Sequence, residues 1–265
     1  MAGSAHIHAW SVFVKVSLVP ALLSLALIGG GAATAAVAAA LPPLVAKAVA
    51  DPSRPKAHTE TDAVRDPGDT LAFAGVKPGM HVVELFPGGG YYTWMISDIV
   101  GPTGSVSTIE NQGWKGAAEA DRKMMATINR PNISLQVQPF GKMELPAGKA
   151  DLFWITQNYH DLKIAKFGVV DMAAFNKAVY AALKPGGAYV IIDHQANPGI
   201  TTEEIEKLHR VEKATVIREV TAAGFKLAGE GKFLNHPGDD HKASIFDKSI
   251  QGKTDQYALK FVKPA

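Results

Sequence analysis

The sequence predicts an α/β fold in which a mostly parallel, seven-stranded sheet is covered by helices on both faces. Two observations lead to this prediction. Apolar strand-like runs alternate with helical segments along the chain, which is the order that builds a parallel sheet. The last two strand-like runs, residues 225–234 and 255–263, are joined without a helical crossover, so the terminal pair is predicted to be antiparallel.

Size and composition fit one globular domain of this kind. The chain has 265 residues, of which 47% are hydrophobic and 20% are charged. Its net charge of +2 gives no strong basic field, so nucleic acid is not expected as the main partner. The absence of cysteine excludes thiol catalysis, disulfide bonds and cysteine-ligated metals.

Residues 1–40 have the composition of a secretory signal. Lys15 is their one charged side chain, and an apolar run, three glycines and an alanine-rich stretch follow it. Cleavage is expected at Ala38-Ala39-Ala40, which would export the rest of the chain, to the periplasm in a bacterium.

An uncleaved membrane anchor is the alternative for this segment. Lys47, Arg54 and Lys56 follow it, whereas only Lys15 precedes it. The positive-inside bias would then leave the folded domain in the cytoplasm, and this is the one case in which contact with a membrane is expected.

Residues 41–65 are rich in proline, alanine and charge, and are predicted to be an N-terminal extension that contains a short helix. The main domain is predicted to span residues 66–265. It opens on a helix over residues 66–75, with Asp66 as N-cap, Pro67 in the first helical position and Gly75 at the end.

The remaining elements follow in strict alternation up to the terminal strand pair. The predicted strands are residues 80–86, 105–109, 133–138, 150–156, 188–192, 225–234 and 255–263. The further helices are residues 91–100, 114–129, 172–183 and 201–224, the last of which opens with the capping box Thr201-x-x-Glu204.

The turn after the first predicted strand has the features of a ligand site. Gly88-Gly89-Gly90 lets a ligand approach the backbone, and the helix that follows offers unpaired N–H groups. Glu84 lies on the strand before it, and Glu110 ends the next strand at a spacing suited to both ribose hydroxyls of a nucleoside.

Four stretches carry a resemblance to a known family. They are residues 71–80 (LAFAGVKPGM), 84–93 (ELFPGGGYYT), 157–162 (QNYHDL) and 183–194 (LKPGGAYVIIDH). On these residues the chain resembles class I S-adenosylmethionine-dependent methyltransferases, and more narrowly a group of bacterial methyltransferases with export signals. The resemblance implies a Rossmann-like methyltransferase fold and S-adenosylmethionine as cofactor.

The resemblance and the strand ends together define a candidate cofactor site. Its residues are Glu84, Phe86, Pro87, Gly88, Gly89, Gly90, Tyr92, Glu110, Asn111, Phe140 and Asn158. Two positions depart from the usual superfamily pattern. Phe86 replaces the first glycine of that pattern. Phe140 follows the third predicted strand, near the position where the superfamily commonly has an aspartate that contacts the adenine. Phe140 is expected to stack on or line the adenine instead.

Candidate catalytic residues lie at the carboxyl ends of the fourth and fifth predicted strands, where open α/β sheets place their reactive sites. His160 is a candidate base, because its ordinary pKa of about 6.5 lies near neutrality. Asn158 is expected to orient the acceptor, and Asp161 or Asp193 to orient a histidine. His194 is a further candidate. The same polar run is also consistent with a purely structural cap of the next helix.

No metal site is predicted, because His209, His236 and His241 show no close ligand spacing. The predicted function is methyl transfer from S-adenosylmethionine to a small-molecule acceptor. The alternative is a non-catalytic ligand-binding protein on the same fold, since an exported chain would need a supply of a cytoplasmic cofactor. A nicotinamide dehydrogenase is disfavoured, because Phe86 interrupts the glycine spacing and the terminal strands are antiparallel.

Overall fold

A computed structural model describes residues 40–114, 116–168 and 170–265 of the chain. The strands are β1 (His81–Leu85), β2 (Ser105–Asn111), β3 (Ile133–Gln138), β4 (Ala150–Thr156), β5 (Leu183–His194), β6 (Lys226–Gly231) and β7 (Gln256–Val262). The helices are α1 (Pro43–Val49), α2 (Lys56–Thr59), α3 (Asp62–Arg65), α4 (Pro67–Ala74), α5 (Tyr91–Val100), α6 (Ala117–Ile128), α7 (Met172–Ala182), α8 (Thr202–Leu208) and α9 (Lys213–Ala222). The predicted signal segment lies outside the described residues, apart from Ala40.

One sheet contains all seven strands in the order β3-β2-β1-β4-β5-β7-β6. Strands β1 to β5 pair in parallel, whereas β7 is antiparallel to both β5 and β6. The predicted fold class is therefore confirmed, including the antiparallel terminal pair.

The core lies on both faces of the sheet. Phe153 and Trp154 are neighbours on β4, point to opposite faces and are both fully buried. A strand that is buried on both faces has no polar alternation, which is why the central strands read as continuous apolar runs.

Strand β5 is longer than the prediction. The Lys-Pro-Gly-Gly segment, residues 184–187, lies between the predicted helix over residues 172–183 and the predicted strand over residues 188–192. In the structure it belongs to β5, because the end of the chain pairs with it. Gly186 donates its N–H to the carbonyl of Lys263, and Lys263 donates to the carbonyl of Gly187 (both 2.9 Å).

The predicted helix over residues 201–224 is wrong, because α8 and α9 are separate helices. His209 ends α8 in the left-handed conformation, with φ of 54°. Val211 then runs beside the segment that follows β5 and donates its N–H to the carbonyl of His194 (3.0 Å). Helical periodicity alone does not reveal this break.

The break between α8 and α9 is fixed by the buried side chain of Arg210. Its guanidinium donates to both carboxylate oxygens of Asp239 (2.8 and 3.2 Å) and to the carbonyls of Gln195 and Ala243 (3.0 and 2.9 Å). Arg210 and Asp239 are both fully buried in their side chains. This contact ties His209 to the loop that precedes β7.

The N-terminal extension packs on the sheet domain, and residues 40–265 form one compact unit. Helix α1 buries Val45 and Ala48 in the same apolar cluster as α4 and α5. Arg54 donates to both carboxylate oxygens of Asp62 (2.8 and 2.7 Å), which fixes α3 against the segment before α2. None of the helices in the described ranges has the length and apolarity to cross a membrane.

The first prediction concerns the Arg210–Asp239 pair. Asp239→Ala leaves a buried guanidinium without its counter-charge, so we expect the free energy of unfolding to fall by ~3–5 kcal/mol in urea denaturation. The control is Glu230→Ala, which removes a pair with Lys213 whose side chains are both 40% exposed. There we expect a loss of only ~0–1 kcal/mol. Equal losses in the two variants would contradict this account of the α8–α9 break.

Candidate functional site

The polar side chains singled out in the sequence lie at one edge of the sheet, where β1, β2, β4 and β5 end. Because these strands are parallel, their carboxyl ends meet at that edge. The site has two parts: a glycine turn with acidic neighbours after β1 and β2, and a histidine cluster after β4 and β5.

The glycine turn is one tight turn of helix between β1 and α5. Gly88, Gly89 and Gly90 all have positive φ, of 47°, 78° and 80°. A β-carbon placed on Gly88 or Gly89 would meet no atom within 4 Å, whereas one on Gly90 would lie 2.6 Å from the sulfur of Met124. The first two glycines therefore present bare backbone to open space, and the third permits α6 to pack closely.

Phe86 adopts the left-handed backbone conformation that favours glycine. Its φ is 52°, a value that side chains rarely adopt, and its N–H donates to the carbonyl of Ile109 (3.0 Å). The ring is 6% exposed and packs against Trp114 and Phe140, with ring centroids 4.8 and 4.7 Å away. Aromatic packing compensates for the unusual backbone, so the turn keeps its shape without the first glycine.

Glu84 and Glu110 are both 2% exposed beside this turn. Thr93 donates its hydroxyl to Oε2 of Glu84 (2.6 Å), and burial raises the pKa of Glu84 to about 8. Glu110 accepts the N–H of Asn111 at Oε1 (2.6 Å), and burial together with the carboxyl of Asp121 raises its pKa to about 8.

Asp121 was not predicted from the sequence. It lies on α6 beside Glu110 and Gly89 and is 2% exposed, and within the described ranges its buried Oδ2 has no hydrogen-bond partner. Burial raises its pKa. Helical periodicity places it on the inner face of α6, but nothing local in the sequence indicates that this face meets the glycine turn.

A cleft of about 460 Å³ continues the site beyond β2 and β3. Its lining comprises Asn111, Gln112, Gly113, Pro139, Phe140, Gly141, Phe167, Gly168 and Val170. Phe140 is 2% exposed and forms part of the floor. Asn111 donates its side-chain amide to the carbonyl of Phe167 (3.3 Å) and so holds the loop after β4 against the end of β2.

The N-terminal extension meets the site at Tyr91. The Tyr91 hydroxyl donates to Asp62 (2.6 Å), and the Arg65 guanidinium lies 4.7 Å from the Tyr91 ring centroid. Tyr92, which was predicted to face the cofactor, packs its ring against Trp154 in the core and donates its hydroxyl to the carbonyl of Arg65 (3.2 Å).

The histidine cluster is organised by Asp193 at the end of β5. Its Oδ2 accepts the backbone N–H of His160 (2.8 Å), and its Oδ1 lies 2.7 Å from Nδ1 of the same residue. Both side chains are buried. Burial by itself would lower the pKa of His160, but the charge of Asp193 outweighs it and holds the pKa above its usual value.

The other face of His160 meets Asp161 and His209. Nε2 of His160 lies 3.2 Å from Nδ1 of His209 and 3.4 Å from Oδ1 of Asp161. Asn158 donates its side-chain amide to the second oxygen of Asp161, Oδ2 (2.7 Å). The structure therefore brings together His160, Asn158 and Asp161, which the sequence singled out, with His209, which it did not assign.

His194 lies beside the cluster, with its ring centroid 6.1 Å from that of His160. Its Nδ1 lies 2.9 Å from the hydroxyl of Thr254, and burial lowers its pKa to about 3. A neutral imidazole in this position can hydrogen-bond but cannot carry charge near neutrality. His241 lies elsewhere, with Nε2 3.1 Å from Asp255, and the N–H of His236 also donates to Asp255 (2.8 Å).

The second prediction follows from the buried Glu84. Between about pH 4.5 and pH 8 the folded protein holds a proton on this carboxyl that the unfolded chain has lost, so unfolding releases it. We therefore expect the free energy of unfolding to fall as pH rises through this range, by up to ~1.4 kcal/mol per pH unit for this group. Glu84→Gln should remove the contribution of this group to the slope of the free energy of unfolding against pH. Urea denaturation at several pH values measures that slope.

The control for Glu84→Gln is Glu119→Gln, a change at a carboxyl group of which 60% is exposed. Its pH profile is expected to parallel that of the unchanged protein. An unaltered profile in Glu84→Gln would contradict the raised pKa of Glu84.

Comparisons with known proteins find methyltransferases among the proteins similar to this chain. No family model matches the chain. It is 28% identical over 131 residues to the ubiquinone/menaquinone biosynthesis C-methyltransferase UbiE of Shewanella halifaxensis, covering 47% of this chain and 46% of that protein. It is 26% identical over 133 residues to the chloroplastic 2-phytyl-1,4-beta-naphthoquinone methyltransferase of Arabidopsis thaliana, covering 50% and 49%. The chain thus spans about half the length of these curated relatives.

A solved structure shares the fold over most of this chain. The SAM-dependent methyltransferase from Aquifex aeolicus superposes with a TM-score of 0.56 at 18% identity, over 78% of this chain and 98% of that one. A likeness at this identity establishes the fold. The chain has the Rossmann-like fold of class I methyltransferases, as its motifs predicted.

Proposed function

We propose that this chain transfers a methyl group from S-adenosylmethionine to a small-molecule acceptor. The observation that carries the proposal is the bare backbone of Gly88 and Gly89, next to the acidic side chains at the ends of β1 and β2. The curated relatives are methyltransferases by name, which supports the same reaction class.

The residues around the glycine turn fit this cofactor. Gly88 and Gly89 leave room for a ligand against the backbone, and the buried Oδ2 of Asp121 lacks a hydrogen-bond partner. The carboxyl oxygens of Glu110 and Asp121 can accept hydrogen bonds, so they suit the hydroxyl and ammonium donors of an aminoacyl nucleoside, and such donors would favour the ionised form of both groups. We assign the ribose hydroxyls to Glu110, and the adenine to the cleft floored by Phe140.

When bound, S-adenosylmethionine supplies a methyl group from its sulfonium. The methyl group moves to the acceptor, and the electron pair of the broken C–S bond stays on sulfur. The chain has two remaining tasks: to align the acceptor and to remove its proton where the acceptor is a hydroxyl or a protonated amine. We assign both tasks to the cluster of His160, Asp161 and His209. Asp193 is a positioning residue, because it acts on the acceptor only through His160.

A small acceptor fits the surroundings of this cluster. In the part of the chain that the structure describes, the short helices α2 and α3 contact Tyr91 at the glycine turn through His58 and Asp62, and residues 40–265 form a single compact unit. The names of the curated relatives refer to quinone biosynthesis and to a naphthoquinone. A reduced naphthoquinone therefore belongs in an acceptor panel beside phenols, amines and thiols.

The third prediction tests the ribose contact. Glu110→Gln replaces a carboxylate that accepts two hydrogen bonds by an amide with one acceptor, so binding of S-adenosylhomocysteine should weaken by about 10- to 100-fold. Isothermal titration calorimetry measures this, with Glu119→Gln, an exposed change on α6, as the matched control. Absence of binding of both sulfur nucleosides by the unchanged protein would refute the proposed function.

The same titrations separate the alternatives. Binding of NAD in place of the sulfur nucleosides would favour a dehydrogenase. Tight binding of S-adenosylmethionine without transfer of labelled methyl to any member of the acceptor panel would favour a non-catalytic binding protein.

The fourth prediction tests the open space at Gly89. Gly89→Ala adds a methyl group where a ligand would lie, at a φ of 78°. The control is Gly148→Ala, at a φ of 64° in the segment before β4, where a β-carbon likewise meets no atom within 4 Å. Both changes should cost about 1–2 kcal/mol of stability for the left-handed backbone. Only Gly89→Ala should abolish binding of S-adenosylhomocysteine, and equal binding by both variants would contradict the assignment.

A further inference from the structure

Three ligand-type atoms in the histidine cluster form a nearly equilateral triangle. Nε2 of His160 and Nδ1 of His209 lie 3.2 Å apart, and Oδ1 of Asp161 lies 3.4 and 3.3 Å from them. This is the one group of three such side chains that the described residues bring together closely enough to hold a metal ion.

Hydrogen bonds within the triangle leave one of its three atoms without a partner. Asp193 accepts the hydrogen on Nδ1 of His160, so Nε2 is the nitrogen that faces the triangle and can bind a cation once it carries no hydrogen. A hydrogen on Nδ1 of His209 can serve only one of its two neighbours. Oδ1 of Asp161, on a side chain 4% exposed, is buried and has no hydrogen-bond partner among the residues that the structure describes. A cation among the three atoms would satisfy them all.

The distances indicate which kind of cation. Zinc binds imidazole nitrogen and carboxylate oxygen at about 2.0–2.2 Å, so tetrahedral ligands lie about 3.3–3.6 Å apart. An octahedral ion such as Mg²⁺, with bonds of about 2.0–2.1 Å, would bring adjacent ligands to about 2.9 Å. The observed separations of 3.2, 3.3 and 3.4 Å are closer to the tetrahedral value. Two imidazoles and one carboxylate are also the ligand types that zinc accepts.

Outer contacts hold the ligands in place. Asp193 orients the His160 ring, and Asn158 donates to Oδ2 of Asp161 at 2.7 Å, which leaves Oδ1 directed at the two imidazoles. The His209 ring packs edge-on against Phe246, with centroids 4.8 Å apart. A carboxylate behind a histidine is the usual support of a metal-binding imidazole.

We propose that His160, Asp161 and His209 bind one tetrahedral divalent metal ion, Zn²⁺ by the geometry, with the fourth position open to water or to an acceptor atom. The sequence did not predict this site, because His209 lies 49 residues after His160 and comes close to it only through the break between α8 and α9.

A role for the metal in catalysis rests on the proposed function; the site itself does not. An acceptor hydroxyl bound at the fourth position would lose its proton to water, because the cation stabilises the oxygen anion. The O–H bond breaks, its electron pair stays on oxygen, and that oxygen is the nucleophile for the methyl group. The imidazoles then act as metal ligands instead of as bases, and the bound metal lowers the pKa of the acceptor hydroxyl.

The fifth prediction tests the site with the metal alone. The full chain, stripped with a chelator and dialysed, should bind one equivalent of Zn²⁺ in calorimetry. It should give the intense visible bands of tetrahedral Co²⁺ when titrated with cobalt. Asp161→Asn keeps the shape of the side chain, and His209→Asn suits the left-handed backbone. Both variants should lose at least ~10–100-fold in affinity, since the loss of a group that merely hydrogen-bonds to a metal ligand already has an effect of this size.

The matched control is His241→Asn. His241 also has positive φ, of 63°, and its Nε2 also faces a carboxylate, but it lies outside the triangle. It should retain the stoichiometry, affinity and cobalt spectrum of the unchanged chain. The proposal is overturned if the unchanged chain binds no zinc, if its cobalt spectrum is octahedral, or if Asp161→Asn and His209→Asn bind as tightly as His241→Asn.

Titration of the same proteins with S-adenosylhomocysteine distinguishes this proposal from the proposed function. Zinc binding without nucleoside binding would support the metal site and remove its methyltransferase role. Nucleoside binding without zinc binding would leave the methyltransferase proposal in place and refute the metal site.

Discussion

The arrangement of the site depends on one fully buried carboxylate, Asp193. It lies one residue before the end of β5. Its Oδ2 accepts the backbone N–H of His160, whereas its Oδ1 accepts that of His194 and faces Nδ1 of the His160 ring. A buried charge is tolerated only when hydrogen bonds and an opposite charge compensate it. The loop after β4 meets that requirement, and in doing so it fixes the orientation of the imidazole. The end of β5 thus determines where the residues after β4 can lie.

A second constraint is the parallel sheet, which brings buried carboxyl groups together at one edge, where their burial is unfavourable. Glu84, Glu110 and Asp121 are each buried and have a raised pKa. Their burial lowers the stability of the fold at this edge of the sheet. Groups held in an unfavourable state are typical of functional sites, where a ligand supplies the missing partners. The hydrophobic clusters on the two faces of the sheet offset that cost.

The two halves of the site are linked through the loop after β4. One end of this loop carries His160 and Asp161, and the other lies against Asn111 at the end of β2. A ligand in the cleft beyond β2 would contact the same loop that positions the histidine cluster. On the opposite side, the N-terminal extension reaches the start of α5 through the hydrogen bond of Tyr91 to Asp62.

The sequence by itself determined the fold class, the strand pairing at the end of the chain and the two acidic strand ends. These features are local: an apolar run marks each buried strand, and Gly88-Gly89-Gly90 marks a turn that only small residues with positive φ can form. Phe86 was recognised as a departure, but its compensation by Trp114 and Phe140 involves residues distant in the chain. Only the tertiary structure decided where His209 and Asp121 lie. The buried Arg210–Asp239 pair breaks a helix that periodicity alone would continue. Packing of α6 on Gly90 brings Asp121 to the glycine turn. Both outcomes depend on contacts between segments far apart in sequence, which local sequence patterns do not show.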